Sequence, residues 1–346
     1  MEETKFRQLG KTKIKVFPLG FGGIPIQRLD KRSAVKVIKE AINLGINFFD
    51  TARAYTDSEE KLGMALSDVD HKVYLSSKTK ANDKIGALND VNKSLENLNV
   101  KQIDIYHLHN ISDKETYKKA VLSKDSAYEG LKEAQKMGKI KHIGITGHSI
   151  QLLKKALKTN KFSVTMFCYN FIEDECEDSF LKFCNQRNIG MIVMKPFAGG
   201  RLDNANINLK YLLKNPNIIP IPGMEKIEEV RENVRIAKGN YKLSKTENKI
   251  MNDLKKSLNN KFCRRCGYCL PCPEGVKIPV VLRAESFINR MSESQLDNTE
   301  HWSYQALISV YKCINCGKCI EKCPYNLNIP ELIKENEEII DKYYKK

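Results

Sequence analysis

The sequence predicts a (β/α)8 TIM barrel followed by a small, mainly helical, cysteine-rich domain, and three observations predict it. Short apolar runs alternate with helical stretches from Phe6 to about Ala237. Those runs recur at the interval of one strand–helix unit. Eight of the eleven cysteines crowd between Cys263 and Cys323, after the alternation has stopped.

Candidate strands lie near Leu19 and centre on Phe48, Tyr74, Ile105, Ile143, Met166, Val193 and Ile219. Counted from Phe48, the gaps are 26, 31, 38, 23, 27 and 26 residues, each about one strand–helix unit. Between the strands lie patterned helices. After Lys84, the residues Leu88, Val91, Leu95 and Leu98 recur at spacings of 3, 4 and 3, the stripe of an amphipathic helix. A first helix runs from Ser33 toward Leu44 and stops at Gly45, where a left-handed cap suits glycine. Eight such units close best as a barrel; an open doubly wound sheet is the runner-up. The expected organisation is a barrel over 1–240, a lysine-rich connector helix over 241–260 and a cysteine domain over 261–346.

A chain of 346 residues that is 41% hydrophobic can bury a barrel of ~250 residues and carry an appendage. No run of eighteen apolar residues occurs, so no membrane partner or span is expected. The opening Met1-Glu2-Glu3-Thr4-Lys5 lacks the apolar stretch of a secretory signal. The expected location is therefore cytoplasmic, a reducing compartment in which clustered cysteines mean metal rather than disulfides.

The cysteines read Cys263-x2-Cys266-x2-Cys269-x2-Cys272-Pro273 and Cys313-x2-Cys316-x2-Cys319-x3-Cys323-Pro324. The second run matches the bacterial ferredoxin pattern in full, in which three close thiolates serve one [4Fe–4S] cluster and the fourth serves the other. That crossing assigns Cys263, Cys266, Cys269 and Cys323 to one cluster. It assigns Cys313, Cys316, Cys319 and Cys272 to the second. The first run is one residue short before Cys272, which places the question on that ligand alone. Zinc ribbons also use Cys-x2-Cys pairs, but they need four sulfurs, without a third at the same spacing and a closing Cys-Pro. Helical stretches near Val280–Met291 and Tyr304–Tyr311 separate the runs, as in a helical dicluster ferredoxin module. Cys168, Cys176 and Cys184 have no such context and read as buried apolar residues.

The formal charge is +16, and two clusters at roughly −2 each lower it to about +12. The lysines are scattered, with no arginine stripe and no interleaved aromatics, so nucleic acid is not an expected partner. A basic surface suits an acidic ferredoxin or flavodoxin.

In a barrel the chemistry sits at the C-terminal ends of the strands. Asp50 and Tyr55 follow the second strand, Lys78 the third, and His109 the fourth. A tyrosine serves as general acid to a carbonyl oxygen only if its pKa of about 10 is lowered. An adjacent ammonium does that, a carboxylate fixes the ammonium, and an imidazole orients the carbonyl. The segments Phe49-Asp50-Thr51-Ala52-Arg53-Ala54-Tyr55, Ser77-Lys78, Asp104-Ile105-Tyr106-His107-Leu108-His109 and Gly144-Ile145-Thr146-Gly147-His148 resemble the signatures of the aldo-keto reductases. The likeness covers the first 240 residues or so and includes Leu9-Gly10 through Gly22 and Ile221-Pro222-Gly223 through Asn233. With the tail included, the whole chain resembles the subgroup that carries a C-terminal dicluster [4Fe–4S] domain.

That resemblance implies Asp50, Tyr55, Lys78 and His109 as a catalytic tetrad, a small-molecule carbonyl substrate and NAD(P)H as hydride donor. It implies Thr146, Gly147, Lys195, Pro196, Gly223, Met224, Lys226 and Asn233 as nucleotide-binding positions. The sequence departs from the family in three places. Met194 stands where an aromatic often stacks on the nicotinamide, and Met166 where a glutamine is customary. Glu225, Glu228 and Glu229 stand among Lys226, Arg231 and Arg235, where a 2′-phosphate would want cations, so NADH and NADPH are both retained.

Two further readings are carried. His107 and His109 share a strand face, and with His148 could form a zinc site of metallohydrolase type. A hydride moves two electrons and a [4Fe–4S] cluster one, so a flavin is a possible intermediary; Gly199, Gly200 and Gly223 are candidate loop glycines for its phosphate. The reductase with electron-exchanging clusters stands ahead of a reductase whose clusters are structural or sensing, and of an electron-transfer module without turnover.

Overall fold

The computed structural model describes residues 6–111, 113–176 and 179–345. Contacts divide them into two compact units, one over residues up to 198 with 202–243, the other over 199–201 with residues from 244 onward.

The first unit is the expected barrel. Its strands are β1 (Phe21–Gly22), β2 (Phe48–Asp50), β3 (Tyr74–Thr79), β4 (Ile103–Leu108), β5 (Ile140–Thr146), β6 (Val164–Cys168), β7 (Gly190–Met194) and β8 (Ile218–Pro220). Each pairs in parallel with its neighbours in sequence order. The ring closes where Gly20 N–H donates to Pro220 O at 2.9 Å and Gly22 N–H to Pro222 O at 2.8 Å. A main helix follows each strand: α1 (Lys31–Asn43), α2 (Ser58–Leu66), α3 (Lys84–Leu98), α4 (Ala127–Lys136), α5 (Ile150–Leu157), α6 (Phe180–Gln186), α7 (Ala205–Leu213) and α8 (Ile227–Ala237), with a shorter helical stretch over Lys114–Tyr117 and Lys118–Leu122 ahead of α4. The open doubly wound sheet is thereby set aside. The first strand falls two residues later than the Leu19 centre, because Gly20 and Gly22 make the closing bonds.

Local chemistry starts and stops these helices. Asp30 caps α1 by accepting from Ser33 N at 3.0 Å, which satisfies one of the orphan donors of the first turn. The helix ends at Gly45, whose φ of +102° a side chain would resist. Asp83 caps α3 in the same way, from Gly86 N at 2.8 Å.

The barrel interior is packed, not hollow. Phe48, Ile105, Val164, Met166, Ile192 and Ile219 fill it. An N-terminal hairpin (Arg7–Gln8 with Lys15–Val16) adds Leu9, Ile14 and Val16 to the same cluster. Each of these side chains stabilises the fold by ~1.5–3 kcal/mol through burial. Gly10 presses against the start of β7: a Cβ there would lie 2.3 Å from Gly190 N. The buried Arg7 ties the hairpin down, donating to Leu213 O at 2.6 Å and Ile218 O at 3.0 Å. Its role was not visible in the sequence.

The second unit is helical. Lys245–Leu258 forms a helix with no buried residue, followed by Ile278–Val281, Ala284–Ile288, Glu293–Leu296, Trp302–Ile308, Lys318–Glu321 and Ile329–Tyr344. Val276, Val281, Leu282, Leu307, Val310, Ile333 and Ile340 make its core. Cys263, Cys272, Cys313, Cys319 and Cys323 pack against that core, and Cys269 belongs to it.

Candidate functional site

Strand periodicity builds the barrel site. Along β3, Ser76 and Lys78 point one way while Ser77 and Thr79 point the other. Ser76 Oγ donates to Asp50 Oδ1 at 2.8 Å, and Lys78 Nζ donates to Asp50 Oδ2 at 2.5 Å and to Thr51 O at 2.6 Å. Asp50 and Lys78 are buried, at 3% and 1% exposure. Burial works against Lys78's charge, but Asp50 and then Tyr55 outweigh it and hold the lysine above its ordinary range. Burial likewise raises the Asp50 carboxyl, against the opposing pull of Lys78. Each partner thus opposes part of the other's desolvation.

Tyr55, half-buried on the loop after β2, lies with its ring centroid 5.1 Å from Lys78 Nζ. His109 sets its ring edge-on to Tyr55, centroids 5.8 Å apart at 82°. Burial, then the charges of Lys78 and Lys80, push His109 well below the usual imidazole range. It is therefore a neutral ring at pH 7, with one N–H to donate. Asp50, Lys78, Tyr55 and His109 thus converge on one place. The arrangement can give a proton to an oxygen, steady the charge left on the phenol and hold that oxygen in line.

His148 follows β5. Its Nδ1 lies 2.7 Å from Asn110 Oδ1 and its Nε2 3.0 Å from Lys195 Nζ. Both ring nitrogens of His148 thus have partners within the barrel unit. His107 is fully buried, and burial first, then Lys78, keeps it neutral. Its ring lies against the β5 backbone, where a Cβ on Gly144 would come within 2.2 Å of Nδ1.

The positions expected to meet a nucleotide separate by exposure. Lys195, Gly223 and Lys226 reach the surface, while Thr146, Gly147, Pro196, Met224 and Asn233 are buried. Thr146 Oγ1 accepts from Asn110 N at 2.7 Å. Met166 lies in the barrel core. Glu229 accepts the N–H groups of Glu225 and Lys226 at 2.9 and 3.2 Å, and Glu225 is bound by Arg28 at 2.5 Å. Arg231 is held by Glu40 at 2.7 Å. Both arginines therefore enter ion pairs within the barrel unit.

Sequence reasoning missed a polar network behind β3. Glu59 is 1% exposed and takes hydrogen bonds from Ser77, Ser94, Asn97 and Arg53. It missed Lys61 too, buried at 1% exposure, which donates to Ile26 O at 3.0 Å and pairs with Asp57 at 2.7 Å. A Ser-Glu-Glu-Lys stretch opening a helix reads as a solvated first turn, so nothing local gave these away.

In the helical unit, two hollows are ringed by cysteines. One, of about 310 Å³, is lined by Cys263, Cys266, Cys269 and Cys323. The other, of about 410 Å³, is lined by Cys272, Cys313, Cys316 and Cys319, with Cys269 also at its wall. Burial pushes the Cys269 thiol up to about 12, and the neighbouring Cys263 and Cys266 add to it. Cys319 is raised by burial and then by Cys313, Cys316 and Cys272. Thiols crowded in this way repel one another as thiolates unless a cation sits among them. Cys168, Cys176 and Cys184 are buried in the barrel unit, and burial raises Cys184 to about 12, an inert thiol.

The aldo/keto reductase family model matches residues 18–209, more than half of the chain. The chain belongs to the aldo/keto reductase family. A 4Fe-4S dicluster domain model matches residues 262–329, so this reductase carries an iron–sulfur domain at its C-terminal side. An uncharacterized oxidoreductase of Schizosaccharomyces pombe is 28% identical over 255 residues, covering 63% of this chain and 81% of that protein. The L-galactose dehydrogenase of Arabidopsis thaliana is 29% identical over 221 residues, covering 58% and 68%. An aldo/keto reductase structure from Klebsiella pneumoniae in complex with NADP and acetate superposes with a TM-score of 0.61 at 22% identity. That match covers 73% of this chain and 96% of the other, a likeness of fold. Family membership makes this chain an oxidoreductase. No helix among the described residues is long and apolar enough to cross a membrane.

Proposed function

We propose that this reductase uses NAD(P)H to reduce the carbonyl of a small molecule, or runs the reverse alcohol oxidation, and that two [4Fe–4S] clusters give it single-electron exchange with a partner. The observation that carries the first half is the contact of buried Lys78 with Asp50 at 2.5 Å beside the Tyr55 ring. A bound nicotinamide would supply the hydride. Tyr55 gives its hydroxyl proton to the carbonyl oxygen. Lys78, pinned by Asp50 and Thr51 O, steadies the phenolate that remains. His109, neutral and edge-on to Tyr55, donates to the same oxygen and sets its direction.

The residues at the mouth suit a dinucleotide. Gly223 presents backbone without a side chain, and Lys195 and Lys226 supply cations. In the helical unit, the cysteine-lined hollows suit two cubanes. Cys263, Cys266, Cys269 and Cys323 hold one, and Cys313, Cys316, Cys319 and Cys272 the other. We take residues 241–260 as connector between barrel and cluster domain, the cytoplasm as the compartment, and an acidic ferredoxin or flavodoxin as the one-electron partner.

The test is anaerobic absorption and EPR of the purified protein as NADH, and separately NADPH, is added. Bleaching of the cluster band with a reduced-cluster signal is the expected result. An unchanged spectrum with carbonyl-dependent nucleotide oxidation would leave the reductase and remove the electron exchange. Zinc in place of iron would remove the clusters.

A further inference from the structure

Resting on the tetrad proposed above, we propose that Arg53 and Glu59 are positioning residues that hold the Tyr55 loop in place over Lys78. Tyr55 sits on no strand, so something must fix it against a lysine that does. The loop's backbone is tied by Thr51 N–H to Ser76 O at 2.9 Å, Arg53 N–H to Lys78 O at 3.1 Å, Tyr55 N–H to Ala52 O at 3.0 Å, Ser58 N–H to Tyr55 O at 2.8 Å and Lys78 Nζ to Thr51 O at 2.6 Å. The next residue, Thr56, takes a φ of +38°, a conformation that costs ~1–3 kcal/mol and needs outside support.

Arg53 supplies the support. Its Nη1 donates to Glu59 Oε2 at 2.5 Å, and Asn97 Nδ2 donates to the same oxygen at 3.1 Å. Ser77 and Ser94 donate to Glu59 Oε1, each at 2.6 Å. The second carboxylate nearby, Asp90, lies 3.9 Å from Arg53 Nε and accepts from Thr79. Glu59 therefore takes four donors from four places: the Tyr55 loop, β3 and two positions on α3. Ser77 directly precedes Lys78, and Arg53 comes two residues before Tyr55. One buried carboxylate thus locates both members of the reacting pair.

Energetics point the same way. Replacing a buried ion pair by apolar side chains of like volume is often neutral or stabilising. An apolar pair would therefore hold α2 against β3 equally well. What it lacks is direction: bonds of fixed length from one carboxylate to the loop and to the strand. A displacement of ~1 Å in a catalytic group can cost ~100-fold in rate.

The experiment compares Arg53→Met, Arg53→Lys and the double variant Arg53→Met/Glu59→Leu with the holoenzyme, alongside Tyr55→Phe. In Arg53→Met we expect kcat to fall ~10–100-fold, with KM for the nucleotide within ~2-fold of the parent. The alkaline limb of the kcat profile should move to higher pH, since Lys78 then acts on Tyr55 from farther away. Arg53→Lys should recover part of the rate. The double variant leaves no unpaired buried carboxylate but takes the acceptor from Ser77, Ser94 and Asn97, so its thermal midpoint should fall less than that of Arg53→Met while it still shows the low kcat. A folded double variant with parental kcat and an unmoved pH profile overturns the proposal. Unchanged turnover in Tyr55→Phe would instead overturn the tetrad, and this proposal with it.

Discussion

At the barrel mouth, Asp50, Lys78, Tyr55 and His109 come from positions spread over sixty residues of chain; strand pairing brings Asp50 and Lys78 together, and the segments after β2 and β4 carry Tyr55 and His109 to them. In the helical unit, each cysteine run brings three thiols together by close spacing, and the fourth thiol of each hollow comes from the other run. The difference shows in burial: Asp50 and Lys78 are sealed at 3% and 1% exposure, while Cys266 and Cys316 are exposed. A site made by long-range strand pairing needs a finished core before it exists. A site made by close spacing needs the core only to hold the loops, and a cluster, once bound, contributes to that core's stability. The barrel is therefore expected to fold without its nucleotide, and the helical unit to depend on iron.

The largest expected effect breaks the comparison on the barrel side. Tyr55→Phe should lower carbonyl reduction by ~10²–10⁴, while the cluster absorption and iron content stay as in the parent. Turnover assays with iron analysis check it. If the rate is unchanged, the mouth is not where the chemistry occurs.

Removal of iron by oxidative chelation tests the other side. Calorimetry should show the transition of the helical unit collapse while that of the barrel keeps its midpoint. If both transitions move together, the dependence on iron is not confined to the helical unit.

A smaller effect is expected from Gly144→Ala. Its Cβ would meet His107 Nδ1 at 2.2 Å, so the packed β4–β5 face must shift, at ~1–3 kcal/mol. Denaturant melts of the barrel transition read this directly, and a value near zero would mean that His107 can move aside.

The smallest effect is a pH slope. Lys78's pKa is raised in the folded state. Its contribution to stability is complete below the ordinary lysine range and is lost as pH rises through the folded value. The parent barrel should therefore release up to about one more proton on unfolding there than Lys78→Met/Asp50→Asn does. Equal slopes would mean that the buried pair is uncoupled from stability.

Much of this protein was legible as text. Strand spacing gave eight βα units because an apolar run and an amphipathic helix each have their own period. Gly45 stopped α1 as expected, since only a left-handed residue ends it there. The cysteine runs were legible for a related reason: a cubane needs three thiolates within one tight loop, so its geometry is written as local spacing. Tyr55, Lys78 and Asp50 were readable only through resemblance, because nothing local links Asp50 to a lysine twenty-eight residues on.

The roles of Arg7, Glu59 and Lys61 were not legible at all. Each is a charged residue whose partners lie elsewhere: Arg7 on the carbonyls around residue 215, Glu59 on β3 and α3, Lys61 on the carbonyls of Ile26 and Gln27. In sequence they resemble any solvated helix turn or terminus. Nor does the sequence show that Asn110 and Lys195 meet the two ring nitrogens of His148. Periodicity and spacing, which are local, belong to the sequence. The partner of a buried charge is set by desolvation, and desolvation exists only once the barrel has closed.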